Sequence, residues 1–118
     1  MKKLTSSFKF AVDGIVNTTR VEKNLKIQLI SMVFVIALGA IVGLSAIEWI
    51  ICILLFGLVI SAEMFNTAIE KTLDYVNEEH DERIKFIKDC SAGSVLIMAI
   101  ASAVIGLVIF LPKLILLF

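Results

Sequence analysis

Of the 118 residues, 59% are hydrophobic, and the mean hydropathy is +1.00. A soluble domain averages about 45–50% apolar residues even with Gly counted, and a 13.0 kDa chain leaves too much surface exposed to hide this share. Eleven Lys+Arg balance eleven Asp+Glu, so net charge names no partner, and one Pro with six Gly excludes a collagenous or loop-rich chain. A small all-α integral membrane protein is the class that remains.

Taken in chain order, Lys2, Lys3, Lys9, Arg20, Lys23 and Lys26 all precede the first long apolar run. A basic block beside a hydrophobic run marks a cytoplasmic membrane flank rather than a nucleic-acid site. Leu4, Phe8, Ala11, Val12, Ile15 and Val16 follow helical spacing, with Lys9, Asp13, Asn17 and Arg20 opposite and Phe10 out of pattern. This predicts an amphipathic helix over about 4–20, lying on the membrane surface. The alternative is a helix packed on the protein's own bundle. No apolar core directly follows Lys2 and Lys3, so the segment does not read as a cleavable signal.

Three membrane spans follow, over about 27–46, 49–73 and 94–118, the last interrupted by Pro112 and Lys113. The first connection is short and carries Glu48 alone as charge, whereas 74–89 is a long polar segment containing Arg83, Lys85 and Lys88. The positive-inside rule places the N-terminus and the 74–89 segment in the cytoplasm, with the Glu48 turn and the C-terminus outside. Small residues four apart at Gly39/Gly43, Ala99/Ala103 and Ser102/Gly106 can let helices approach closely. Cys52 and Cys90 are too few and too far apart for a disulfide framework, so free thiols are expected. Residues 1–118 read as a single membrane domain.

The informative stretch is the second half of the middle span, where Glu63, Asn66, Glu70 and Asp74 recur. At about 100° per residue they fall at roughly 0°, 300°, 340° and 20°, one stripe about 80° wide. With the core starting at Trp49, Glu63 lies roughly 21 Å deep and Glu70 about 31 Å, close to the far headgroups of a ~30 Å core. A carboxylate at mid-membrane costs on the order of 2.5–3.5 kcal/mol, against about 0.3–0.6 kcal/mol returned per Leu, Ile, Val or Phe. Four polar groups on one face therefore point to a site running from inside the membrane to the water. Two bland readings stand beside it: carboxylates paired with Lys or Arg inside a bundle, or Glu70 and Asp74 simply solvated.

Other chemistry-bearing patterns are missing: no Walker loop, HExxH, CxxC or GxSxG occurs in the chain. His80 sits among Glu78, Glu79, Asp81 and Glu82, a solvated cluster more than a metal site. Lys88 could meet phosphate, and Asp89 could cap the last span or bind a ligand.

Glu63-Met64-Phe65-Asn66-Thr67-Ala68-Ile69-Glu70, then Asp74, then Lys88-Asp89, with Glu22 before the first span, resembles the small bacterial integral-membrane lipid kinases, the diacylglycerol and undecaprenol kinase family. The likeness covers nearly the whole chain. It implies an N-terminal surface helix with three transmembrane helices, a homotrimer with sites shared between subunits, and a cytoplasmic-membrane location. It further implies ATP-dependent phosphorylation of a lipid hydroxyl, with Glu63 as general base and Asn66 positioning the acceptor or the transferring phosphoryl group. By the same resemblance Glu22 and Glu70 hold Mg²⁺ on the ATP phosphates, Lys88 neutralises phosphate charge, and Asp89 and Glu79 lie by the nucleotide. The sequence departs from the family at Lys26, where an Arg is frequent, and at His80-Asp81, where many members have His-Pro. The Asn66–Glu70 form and Ala92-Gly93 resemble the Gram-positive branch, which implies undecaprenol as acceptor and diacylglycerol as runner-up. Outside the family, two other expectations fit the stripe: an oligomeric transporter with Glu63 carrying a proton or cation, or a structural or assembly subunit in which the stripe tolerates apolar replacement and Glu63→Gln leaves function intact.

Overall fold

The computed structural model describes residues 2–76 and 81–118, all of which belong to four helices and their short connections. They are α1 (Lys2–Val21), α2 (Lys23–Val42), α3 (Ala46–Val76) and α4 (Glu82–Leu117). The all-helical expectation holds, and α2, α3 and α4 are each long and apolar enough to cross a membrane.

α1 touches α2 and α3 but contributes no buried residue. Leu4, Phe8, Val12, Ile15 and Val16 all stay exposed. The bundle therefore does not cover the apolar face of α1, which favours the surface-helix reading over packing within the chain.

The first span is displaced from the expected 27–46. It starts at Lys23, because Glu22 is already extended (φ −101°, ψ 112°) and breaks the chain between α1 and α2. It ends at Val42, because Gly43 adopts a left-handed conformation (φ 77°) and its N–H donates to the Gly39 carbonyl at 3.0 Å. Only Gly takes that conformation cheaply. Gly39 is buried on α2, and a Cβ there would meet the Leu44 and Trp49 side chains at 2.8 Å. The small-residue pair at 39 and 43 thus builds a tight turn with the indole of Trp49 folded over it.

Ser45 and Glu48 then open α3 by a reciprocal cap. The Ser45 N–H donates to Glu48 Oε1 at 2.9 Å, and the Glu48 N–H donates to Ser45 Oγ at 3.2 Å. This capping box places Glu48 inside the first turn of the helix rather than in a loop.

α3 and α4 run antiparallel and form the most extensive packing in the molecule. Their two ends are tied by ion pairs, Lys113–Glu48 at 3.0 Å and Lys88–Asp74 at 2.7 Å. Both helices reach further than the expected spans of 49–73 and 94–118. At 1.5 Å per residue, the 31 residues of α3 and 36 of α4 are longer than a ~30 Å hydrocarbon core, so helix continues into much of the polar 74–89 segment. Asp81, not Asp89, caps α4. Its side chain accepts from the Arg83 N–H at 2.8 Å, and the Arg83 guanidinium beside it holds the Asp81 carboxyl below the usual carboxylate range. Pro112 does not interrupt α4; one missing N–H is tolerated in a long apolar helix.

The buried core is small. Cys52, Ile109 and Phe110 form it, with Val35, Leu38, Phe56 and Ile105 packed around them. Only 11% of each apolar span is buried within the chain. Phe34, Ile41, Ile53, Ile97 and Val108 all face outward, the arrangement of a protein whose solvent is lipid or further protein. Both cysteines are free.

Candidate functional site

The side chains expected to carry chemistry gather where α2 begins and the second half of α3 passes it. Glu63 is the most enclosed of them, 2% exposed, and Asn66 is 8% exposed. Thr67, one turn on, is buried as well, and its hydroxyl donates to the Glu63 carbonyl at 3.0 Å. That bond satisfies a polar group that the apolar surroundings would otherwise strand.

Among the described residues the Glu63 carboxylate has one hydrogen-bond partner, Gln28 Nε2 of α2, at 3.5 Å from Oε2. The charges acting on it are those of Glu22 and Glu70. Asn66 Nδ2 donates to Glu70 Oε1 at 3.2 Å, which leaves Asn66 Oδ1 buried with no partner. Gln28 Oε1 is buried and unpartnered too. Among the described residues, Glu22, Glu63 and Glu70 make no ion pair. The reading in which the stripe is neutralised by Lys or Arg therefore holds for Asp74, paired with Lys88, and not for the deeper carboxylates.

The remaining expected residues stand apart from this group. Lys88 contacts Asp74, eleven residues beyond Glu63 and about 16 Å further along α3. Asp89 is exposed and pairs with Lys85 on its own helix. Glu79 lies outside the described residues. Gln28 is the member that sequence reasoning missed. A lone amide in an apolar span was the available signal, but nothing in the linear sequence linked α2 to Glu63.

Glu22, Glu70 and Asn66 are the side chains here that could hold a hard cation. Glu22 and Glu70 supply two carboxylates without cationic partners, and Asn66 Oδ1 supplies a buried oxygen in want of one. Among the described residues no three His, Cys, Asp or Glu side chains are close enough to hold an ion by themselves. Mg²⁺ needs no such cage, since it commonly takes one or two carboxylates and completes its shell with water and phosphate oxygens.

A three-span bundle with unneutralised acidic groups at one end defines a multi-pass membrane protein built for chemistry at the membrane boundary. The family model described as prokaryotic diacylglycerol kinase matches residues 9–110, and the chain belongs to that family, as a lipid kinase. It is 42% identical over 114 residues to undecaprenol kinase of Bacillus subtilis (strain 168), covering 97% of this chain and 93% of that protein. It is 35% identical over 112 residues to diacylglycerol kinase of Synechocystis sp. (strain ATCC 27184 / PCC 6803 / Kazusa). That match covers 94% of this chain and 64% of the larger relative.

Proposed function

We propose that the chain is an ATP- and Mg²⁺-dependent undecaprenol kinase of the bacterial cytoplasmic membrane, working as a homotrimer with the Glu63 end facing the cytoplasm. The observation that carries the reading is the buried Glu63 carboxylate with unpaired Glu22 and Glu70 acting on it and a free Asn66 oxygen beside them. The end-to-end match to the Bacillus undecaprenol kinase supports the acceptor, and the Lys and Arg distribution supports the orientation.

In this reading the lipid alcohol presents its hydroxyl to Glu63. As the alcohol oxygen forms its bond to the γ-phosphorus, Glu63 takes the hydroxyl proton, the bond from the γ-phosphorus to the bridging oxygen breaks, and ADP leaves with that electron pair. A carboxylate shielded from water is well placed for this role. Asn66 orients the transferring phosphoryl group. Glu22 and Glu70 would hold Mg²⁺, which supplies charge neutralisation on the phosphates when bound. Lys88 meets phosphate after leaving Asp74, and Asp89 borders the nucleotide. The resemblance of Glu63–Glu70 and Lys88-Asp89 to the family motif supports these assignments. Positioning and charge neutralisation are most of what phosphoryl transfer asks of a protein, so no Walker loop is required.

Diacylglycerol is the second reading, favoured by the Synechocystis relative. Transfer of label from ATP, with Mg²⁺ and purified protein in mixed micelles, separates the two. Undecaprenol is expected to be labelled faster than diacylglycerol. Faster labelling of diacylglycerol would reverse the acceptor assignment, and no labelled lipid from a folded oligomeric sample would overturn the proposal.

A further inference from the structure

The two side chains of α4 that the kinase reading brings to the nucleotide are both engaged within the chain. Lys88 Nζ donates to Asp74 Oδ1 at 2.7 Å, and Asp89 accepts from Lys85 on its own helix. Asp74 lies one turn beyond Glu70 on the same face of α3, so its pair with Lys88 crosses from α3 to α4 at the water end of the acidic stripe. This pair differs from the one at the opposite end of the same helices. Lys113 and Glu48 are 27% and 23% exposed, and Ser45 bonds Glu48 as well. Lys88 and Asp74 are 37% and 56% exposed. An exposed ion pair is worth little and is readily exchanged.

We infer that Asp74 is a positioning residue for nucleotide capture: it holds the Lys88 ammonium at the end of the stripe, and a nucleotide phosphate binds by taking that ammonium from it. Three features carry this. A Lys ammonium is a compact charge on a flexible four-carbon stem with three rotatable donors. It can therefore swing the one turn, about 6 Å along α3, that separates Asp74 from a phosphate held at Glu70. The charges are also divided. Glu22 and Glu70 make no ion pair among the described residues, whereas Lys88 is already paired. A phosphate carrying its metal ion thus meets free carboxylates and gains the lysine only in exchange for Asp74. The exposure of the pair keeps that exchange cheap. Asp74 thereby sets how tightly the nucleotide is held, acting through Lys88. This rests on the lipid kinase reading above and adds to it a residue that competes with the nucleotide.

A double-mutant cycle tests the competition. The measurement is the Kd of the non-hydrolysable analogue AMP-PNP with Mg²⁺, together with kcat and the KM for ATP, in parent, Asp74→Asn, Lys88→Gln and the double variant. Asp74→Asn is expected to tighten AMP-PNP binding and lower the KM for ATP about two- to fivefold, the worth of an exposed ion pair. The change should fall on KM and not on kcat, as for a contact made equally in the ground and transition states. Lys88→Gln should weaken AMP-PNP binding at least about tenfold, the scale of a hydrogen bond to a charged group. In that background Asp74→Asn should bring no gain, because its effect runs through the lysine. Asp74→Ser gives the same reading should Asp74→Asn fail to fold. Unchanged or weaker binding in the Asp74 variants, or a gain that does not need Lys88, would overturn the inference while leaving the kinase reading intact. Unchanged binding in Lys88→Gln would overturn the place of Lys88 in the kinase reading, and the competition with it.

Discussion

The two ends of the α3–α4 pair are built on opposite terms. At the Glu48 end the polar groups find partners: Ser45 and Glu48 cap each other, and Lys113 closes on Glu48 at 3.0 Å. At the Glu63 end, Gln28 and Asn66 each keep a buried oxygen unpartnered, and three carboxylates share the region without an ion pair among the described residues. An unsatisfied buried polar group costs about 1–3 kcal/mol. The difference separates the end whose polar groups are paired from the end proposed to carry the chemistry.

The comparison can be broken from either side. After Glu63→Gln, taken up last, the largest effect is expected at Glu70→Ala, which removes a proposed metal ligand and the partner of Asn66. Phosphate transfer should fall roughly 10²-fold, as for loss of one preorganised charge-stabilising group, with activity requiring more Mg²⁺; a metal titration of initial rates checks this. At the other end, Gly39→Val should destabilise by about 1–3 kcal/mol through overpacking, since its Cβ meets Leu44 and Trp49 at 2.8 Å. Thermal unfolding in detergent reads that loss, and activity per folded molecule should be unchanged.

Ser45→Ala should cost about 1 kcal/mol, the usual worth of an N-cap, again without touching the rate. The smallest effect concerns Asp81. Its carboxyl is held below the ordinary range by Arg83, so its stabilising cap is fully present above the ordinary Asp pKa of about 3.9. It is lost as pH falls through the lowered value. On acidification below that value the parent should therefore lose slightly more stability than Asp81→Asn, which keeps a capping oxygen without the titration, as thermal unfolding at several pH values reads.

Much of this division was legible in the sequence. Hydropathy gave three spans, and the recurrence of Glu63, Asn66 and Glu70 on one face gave the core of the proposed site, because helical periodicity is a local property. The turn at Gly43 and the cap at Ser45 were missed for another reason. They override the apolar run, so the first span ends at Val42 instead of 46. The polar 74–89 segment read as a loop because hydropathy marks where lipid stops, whereas Asp81 and the helix-forming residues after it let α4 begin in water. The contact of Gln28 with Glu63 depends on how α2 packs against α3, which no spacing along one helix encodes. Lys88 was placed by motif alone, and its partner in the structure is Asp74.

Glu63→Gln tests the contrast between the two ends most directly, with phosphate transfer to undecaprenol and thermal unfolding measured on the same preparation. The expected result is a fall in transfer of about 10²–10⁴-fold, the range for loss of a general base, with a melting temperature equal to the parent's or higher. Retained transfer, or a melting temperature that collapses along with activity, would contradict the assignment of chemistry to this end of the bundle.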